Sequence, residues 1–463
     1  MELARNQSLD VLRGTAILLM VLCSSIAFGN VLPSWMFHAQ TPPPYHVFNP
    51  DLPGITWVDL VFPLFLFSMG AAIPLAMEKK HSQGSVFKPI LHLVSRFALL
   101  AFFAIFTLNA RSWVMDKGPD STSYFTSIVA FILLFFMYGN LSRYVGKLTA
   151  LVIKFVSFGI GIAFLALYPF AYGSFDPEKS DVIILVLANM AFFGGLIWYF
   201  TAQKPLLRLA ILPFIMAIFL GSEEVGSINN LIFNWSPIPW MYKFYYLKYL
   251  FIIIPGTIAG DWILTDRKRR HFDLAFRKRT AIVIAILSIA LIVINLWGLF
   301  SRELILNLFL NVIGCLALLF LTKKLRMNEL FSKLAQSGVY LLMLGLFFEA
   351  YEGGIKKDYS TYSYYFVCSG LAFFALLSFT IVEKLTILKQ PMNFIAANGK
   401  NPMIAYTAGN LLLIPLLKMT SLSTVLDSMN SNALMGFTRG IIFTGIVAMV
   451  TVFFTRIQFF WKT

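Results

Sequence analysis

The sequence predicts an all-α, polytopic transmembrane bundle of about fourteen helices, within a range of twelve to fourteen, and three observations carry that prediction. Of 463 residues, 58% are hydrophobic and only 13% charged, against about 25% charged in an ordinary soluble domain. The apolar residues gather in runs of about 20, the length that crosses a bilayer core as a helix. Mean hydropathy is +0.76, which excludes soluble enzymes, disordered chains and small disulfide scaffolds.

The runs fall at about 10–29, 55–77, 88–109, 123–142, 148–171, 182–201, 205–221, 243–264, 280–300, 303–321, 336–351, 362–384, 402–418 and 433–455. Residues 1–8 are polar and no small-residue cleavage pattern follows, so the first run is expected to be a retained helix, not a signal peptide. The second opens on Trp57-Val58-Asp59, an acid placed where it favours the helix dipole. The seventh and eleventh are short. Pro255-Gly256-Thr257 is expected to interrupt the eighth, as backbone does where it lines a cavity. No loop is long enough to fold alone, so the chain reads as one domain, 1–463.

Charge tests the count. Net charge is +15, which in a soluble protein would raise nucleic acid as a partner; in a membrane protein it marks the loops retained in the cytoplasm. With the N-terminus in the cytoplasm and fourteen crossings, 27 of the 37 Lys and Arg fall on the inner side and 10 on the outer. Both termini are therefore expected to be cytoplasmic, and nucleic acid is not an expected partner. The most basic stretch, 267–279, reads as a contact for anionic lipid headgroups or for a polyanionic cytosolic ligand.

Ionisable groups inside a bilayer are costly and are candidates for function. Asp10 and Arg13 are three apart on one helix face, as a salt bridge at the helix mouth or as a ligand-phosphate contact. The outer loop 30–56 has no Lys or Arg but carries His38 and His46 beside Pro42-Pro43-Pro44. A stiff, charge-poor loop can hold a neutral imidazole as a general base. His92 and Arg96 look structural; His81 and His271 look solvated. Glu349, Glu352, Lys356, Lys357 and Asp358 form an outer polar cluster suited to a hydrophilic acceptor, and Asn393, Asn398, Lys400 and Asn401 form an inner one. Cys23, Cys315 and Cys368 sit in apolar runs without metal-type spacing, so neither disulfide nor metal is expected. P-loop, GxSxG, HExxH and dinucleotide-binding glycine patterns are missing from the sequence.

Residues 8–14 (SLDVLRG) and 54–70 (GITWVDLVFPLFLFSMG) resemble the opening of the heparan-α-glucosaminide N-acetyltransferase-like family of transmembrane acyltransferases, in its bacterial branch. Weaker matches continue at Gly256-Thr257, Gly354–Tyr364, Asn398–Tyr406 and Phe459–Lys462, so the likeness spans the chain. It implies a multi-pass protein of the bacterial inner membrane that moves an acetyl group from cytosolic acetyl-CoA to a sugar amine or hydroxyl outside. The catalytic histidine implied is His38 or His46; Phe37-His38-Ala39 matches the family's context better, with Asp59 expected to orient the imidazole or the acceptor. Arg13, Asp10, Lys400 and Asn401 are candidate donor contacts, and Ser24, Asn49, Glu349 and Lys356 candidate acceptor contacts. Ser24 stands where the lysosomal enzyme has asparagine, and about four helices, around 148–221 and 302–351, are additional to that enzyme. A homodimer is compatible with this. A transporter or flippase for a polar or lipid-linked solute is the competing expectation, and an inactive member kept as a partner subunit is a third.

Overall fold

The computed structural model describes residues 6–81, 86–268, 278–324, 329–386 and 388–462. The described residues form no named strand, and thirteen helices are long and apolar enough to cross a membrane. The molecule is a multi-pass membrane protein. In chain order these thirteen and one shorter apolar helix, α7, are α1 (Gln7–Ser25), α2 (Trp57–His81), α3 (Phe87–Asn109), α4 (Ser121–Tyr138), α5 (Lys147–Leu167), α6 (Val182–Phe200), α7 (Pro205–Leu220), α8 (Leu250–Lys268), α9 (Lys278–Ser301), α10 (Leu304–Lys324), α11 (Glu329–Tyr351), α12 (Tyr362–Leu385), α13 (Pro402–Met419) and α14 (Ala433–Arg456).

The short member is α7, whose 16 residues reach about 24 Å at 1.5 Å per residue. It still runs from one end of the bundle to the other. Arg208 near its start pairs with Asp261 near the end of α8, while Phe219 near its end packs on Phe244 and Tyr245 just before α8. Fourteen crossings return the chain to its starting side. Consistently, Gln7 donates to Asn393 and Thr455 to the carbonyl of Ala397, so α1 begins and α14 ends beside the same surface helix, Lys389–Lys400. This end carries most of the Lys and Arg and is called the basic end below; the loop of His38 lies at the other.

Two expectations change. The eleventh helix is full length, because Glu329 starts it seven residues before the apolar run. Pro255 does not interrupt α8, which is continuous over Leu250–Lys268. Gly256 and Gly260 are four apart on the face toward α2, and a Cβ on Gly256 would meet the Phe67 carbonyl oxygen at 2.6 Å. The segment is a small-xxx-small packing face that lets two backbones approach. The real discontinuity is in α13, where Gly409–Leu413 winds as a π-turn.

Helices α2, α8 and α12 form the centre: 83%, 83% and 89% of their membrane windows are buried, against 22% for α5 and 28% for α10 at the periphery. Around the centre, α1 packs on α2, α14 and the surface helix, α3 on α6, and α9 on α10 and α12. At the basic end Gly14 of α1 and Gly399 of the surface helix meet backbone to backbone; a Cβ on either would overlap the other element's carbonyls.

Candidate active site

At the end opposite the basic one, four segments converge on Asp59. Residues 54–56 run into α2, and Thr56 gives Asp59 its backbone N–H at 3.0 Å. Ala39 gives a second N–H at 3.2 Å. The Tyr364 hydroxyl on α12 donates to the Asp59 carbonyl at 2.9 Å. Asp59 is 1% exposed, so its carboxylate is held by fixed donors in place of water, as a buried charge requires. The third partner of the carboxylate is His38, whose Nδ1 lies 2.6 Å from Oδ1. That contact fixes the tautomer: Nδ1–H donates to Asp59, and Nε2 is left as a proton acceptor. The His38 side chain is 39% exposed, so an acceptor molecule can reach it.

Lys357 joins this pair from the loop between α11 and α12. Its Nζ lies 3.2 Å from His38 Nδ1, 3.5 Å from Nε2 and 4.0 Å from Asp59 Oδ1. The loop is clamped at both ends of the lysine. Gln40 Oε1 accepts from the N–H of Asp358 at 2.8 Å and its Nε2 donates to the Asp358 carbonyl. Gly54 N–H donates to the Ile355 carbonyl at 2.7 Å. Glu352 accepts from the N–H groups of Tyr362 and Ser363, both at 2.7 Å, and so caps α12.

His46 has a different use. Its Nδ1 donates to the Thr41 carbonyl at 3.1 Å and its Nε2 accepts from Gly29 N–H at 3.0 Å, so both nitrogens are committed. The ring packs edge-on to Phe28 and Phe37, and its φ of 51° is tolerated because these contacts hold it. It braces the loop, and it is not at the site.

The other expected site residues are scattered. Ser24 is exposed and bonds back to Val21. Asn49 bonds within the loop, to Gln40 and Asp51. Glu349 is tied to Arg302 at 2.6 Å and is no acceptor rim. Lys356 engages Thr361 through its backbone, while its neighbour Lys357 occupies the site. At the basic end Asn401 binds the closing segment, through Phe459 and Trp461, and Lys400 is partly exposed. Asp10 is buried 3.9 Å from Arg13. His81 is not simply solvated, since it packs on Trp198 and Tyr199. Residues 269–277 of the basic stretch, with His271, lie outside the described residues.

Between the two ends lies a cavity of about 280 Å³. Met20 and Phe65 line its upper part, about 9 Å along α2 from Asp59 at 1.5 Å per residue. Arg13 and Arg96 line it toward the basic end. Trp461 and Tyr406 also line it, the Tyr406 hydroxyl reaching Asp181 at the start of α6, and its wall contains no Asp or Glu among the described residues. Arg96 Nε and Trp461 Nε1 are buried there with no hydrogen-bond partner. Sequence reasoning misses Thr56, Tyr364, Arg96 and Trp461 as site residues, and it offers Lys357 only as one member of an outer polar cluster. The signal is weak: Arg96 reads equally well as a helix partner of His92. The described residues hold no cluster of three His, Cys, Asp or Glu able to ligate a metal.

No curated protein matches the chain. A family model described as a domain of unknown function, DUF5009, matches residues 5–263, which include the loop of His38 and all of α2 but stop short of Lys357. That match covers more than half of the chain, and the protein belongs to this family.

Proposed function

We propose that the protein is a membrane acyltransferase that moves an acetyl group from acetyl-CoA, arriving at the basic end, to an amine or hydroxyl of a sugar at the opposite end. The observation that carries this reading is the His38–Asp59 pair, 2.6 Å apart, with Nε2 exposed at the charge-poor end. The 27-to-10 split of Lys and Arg puts the basic end in the cytoplasm by the positive-inside rule, where CoA is found, in a bacterial inner membrane. The cavity supports the route between them. It is too small for a whole CoA but suits an extended arm, with Arg13 and Arg96 toward phosphates and its apolar upper part toward His38. Asp59 orients the imidazole, and Nε2 takes the proton of the acceptor as it attacks the thioester.

The test uses purified protein in lipid nanodiscs, radiolabelled acetyl-CoA and a panel of amino and neutral sugars. The expected result is CoA-dependent acetylation that falls by about 10²–10⁴-fold in His38→Ala. Wild-type rates in His38→Ala would overturn the mechanism.

A second reading, a transporter or flippase, is favoured by the π-turn in α13, since broken helices line pathways in such proteins. CoA-independent solute flux in proteoliposomes, with no acetyl transfer, would select it.

A further inference from the structure

We propose that Lys357 is a second catalytic residue, the group that stabilises the oxyanion formed when the thioester is attacked. This rests on the acyltransferase reading and gives a chemical role to a residue that the sequence offers only as part of an outer polar cluster and that the family match does not reach.

Asp59 already accepts from His38 Nδ1–H, Ala39 N–H and Thr56 N–H at 2.6, 3.2 and 3.0 Å. Lys357 stands 4.0 Å from that carboxylate, beyond hydrogen-bond distance. Nζ lies 3.2 Å from Nδ1, whose proton is committed to Asp59, and 3.5 Å from Nε2. An ammonium thus sits beside the very atom that takes the acceptor's proton. A lysine carries about 2 kcal/mol of rotamer entropy that ordering it must overcome, and the clamps on Asp358 and Ile355 hold the backbone that aims it. Its side chain is 20% exposed, so its charge acts where little water screens it.

The chemistry follows from those positions. The acceptor's nitrogen or oxygen lone pair attacks the thioester carbonyl carbon, and His38 Nε2 removes the proton from the attacking atom. The carbonyl π pair moves onto oxygen, and that negative charge forms within reach of Nζ. On collapse the oxygen pair re-forms the C=O bond and the carbon–sulfur bond breaks. The departing thiolate takes the proton back from the imidazolium, which yields the acetylated acceptor and free CoA thiol.

The experiment compares wild type, Lys357→Met, Lys357→Arg and His38→Ala in nanodiscs, with kcat and the donor KM measured separately and thermal stability recorded for each. The expected result for Lys357→Met is a 10²–10³-fold fall in kcat, as for loss of one oxyanion donor, with donor KM within about threefold. Lys357→Arg should recover at least tenfold of that loss, which a merely structural contact would not require. Lys357→Met within about fivefold of wild-type kcat, with His38→Ala inactive, would overturn the role of Lys357 and leave the acyltransferase reading standing. A kcat loss matched by an equal loss of folded protein, unrelieved in Lys357→Arg, would also overturn it. Wild type and all variants at background would overturn both.

Discussion

Replacing His38 and His46 one at a time should separate chemistry from loop structure. His46→Ala removes two hydrogen bonds, to Thr41 and Gly29, worth about 0.5–1.5 kcal/mol each. It also removes two edge-on ring contacts, with centroids 5.2 Å from Phe28 and 4.5 Å from Phe37, worth about 0.5–1.5 kcal/mol each. The positive φ costs alanine no less than histidine, so nothing is returned. The loop 30–56 should therefore lose about 2–6 kcal/mol of local stability. Phe37 is 4% exposed, so chymotrypsin cuts after it only when the loop opens. Cleavage should then accelerate by about 30- to 20,000-fold, since each 1.4 kcal/mol is tenfold in the open population. His38→Ala leaves Asp59 with its two backbone donors and spares the brace, at about 1.5–3 kcal/mol for the lost charge-assisted bond, so cleavage should rise by no more than about 150-fold while transfer falls 10²–10⁴-fold. Transfer abolished in His46→Ala with unchanged cleavage, or a loop opened by His38→Ala with transfer intact, would refute the assignment.

Three further outcomes follow from the same geometry. Arg208 is fully buried and holds Asp261 at 2.7 Å with Thr201 and Thr257, so Arg208→Met should cost about 3–5 kcal/mol by stranding a carboxylate; a thermal shift reads the loss, and adding Asp261→Asn should recover much of it. Gly399→Leu should push the surface helix off α1, at about 1–3 kcal/mol, and lower the yield of a disulfide between cysteines placed at Gln7 and Asn393. Cysteines placed at Asn6 and Lys462 should react with an impermeant maleimide from one face of sealed vesicles and a cysteine at Tyr45 from the other, since fourteen crossings separate them only in this way.

The bundle was legible because bilayer crossing leaves a plain mark: each helix must be an apolar run about 20 residues long. Even α7, short by that measure, was visible, because dropping it would invert the placement of every Lys and Arg that follows. The error at Pro255 has a physical source. Proline and glycine report a freedom of the backbone, and the sequence does not say whether that freedom serves a break or a close helix contact. The site was half legible. Asp59 declared itself as an acid at a helix start, and His38 as an imidazole in a loop without Lys or Arg. Between His38 and His46 only the Phe37-His38-Ala39 context favoured His38, because the choice depends on which ring finds aromatic walls and two backbone partners. Lys357 was hidden more deeply. It reaches the imidazole only because Gln40 captures Asp358 from over 300 residues away, a pairing that carries no periodicity.

That pairing also limits how the protein can be rebuilt. Gln40 reads the backbone of Asp358 and not its side chain, so the contact tolerates many sequences but only one register. A chimera that exchanges the 352–361 segment for one of different length would keep every crossing helix and deliver the wrong residue to His38. Loop swaps meant to alter acceptor preference should therefore preserve the spacing from Ile355 to Ser360, or move residues 38–56 together with it as a unit.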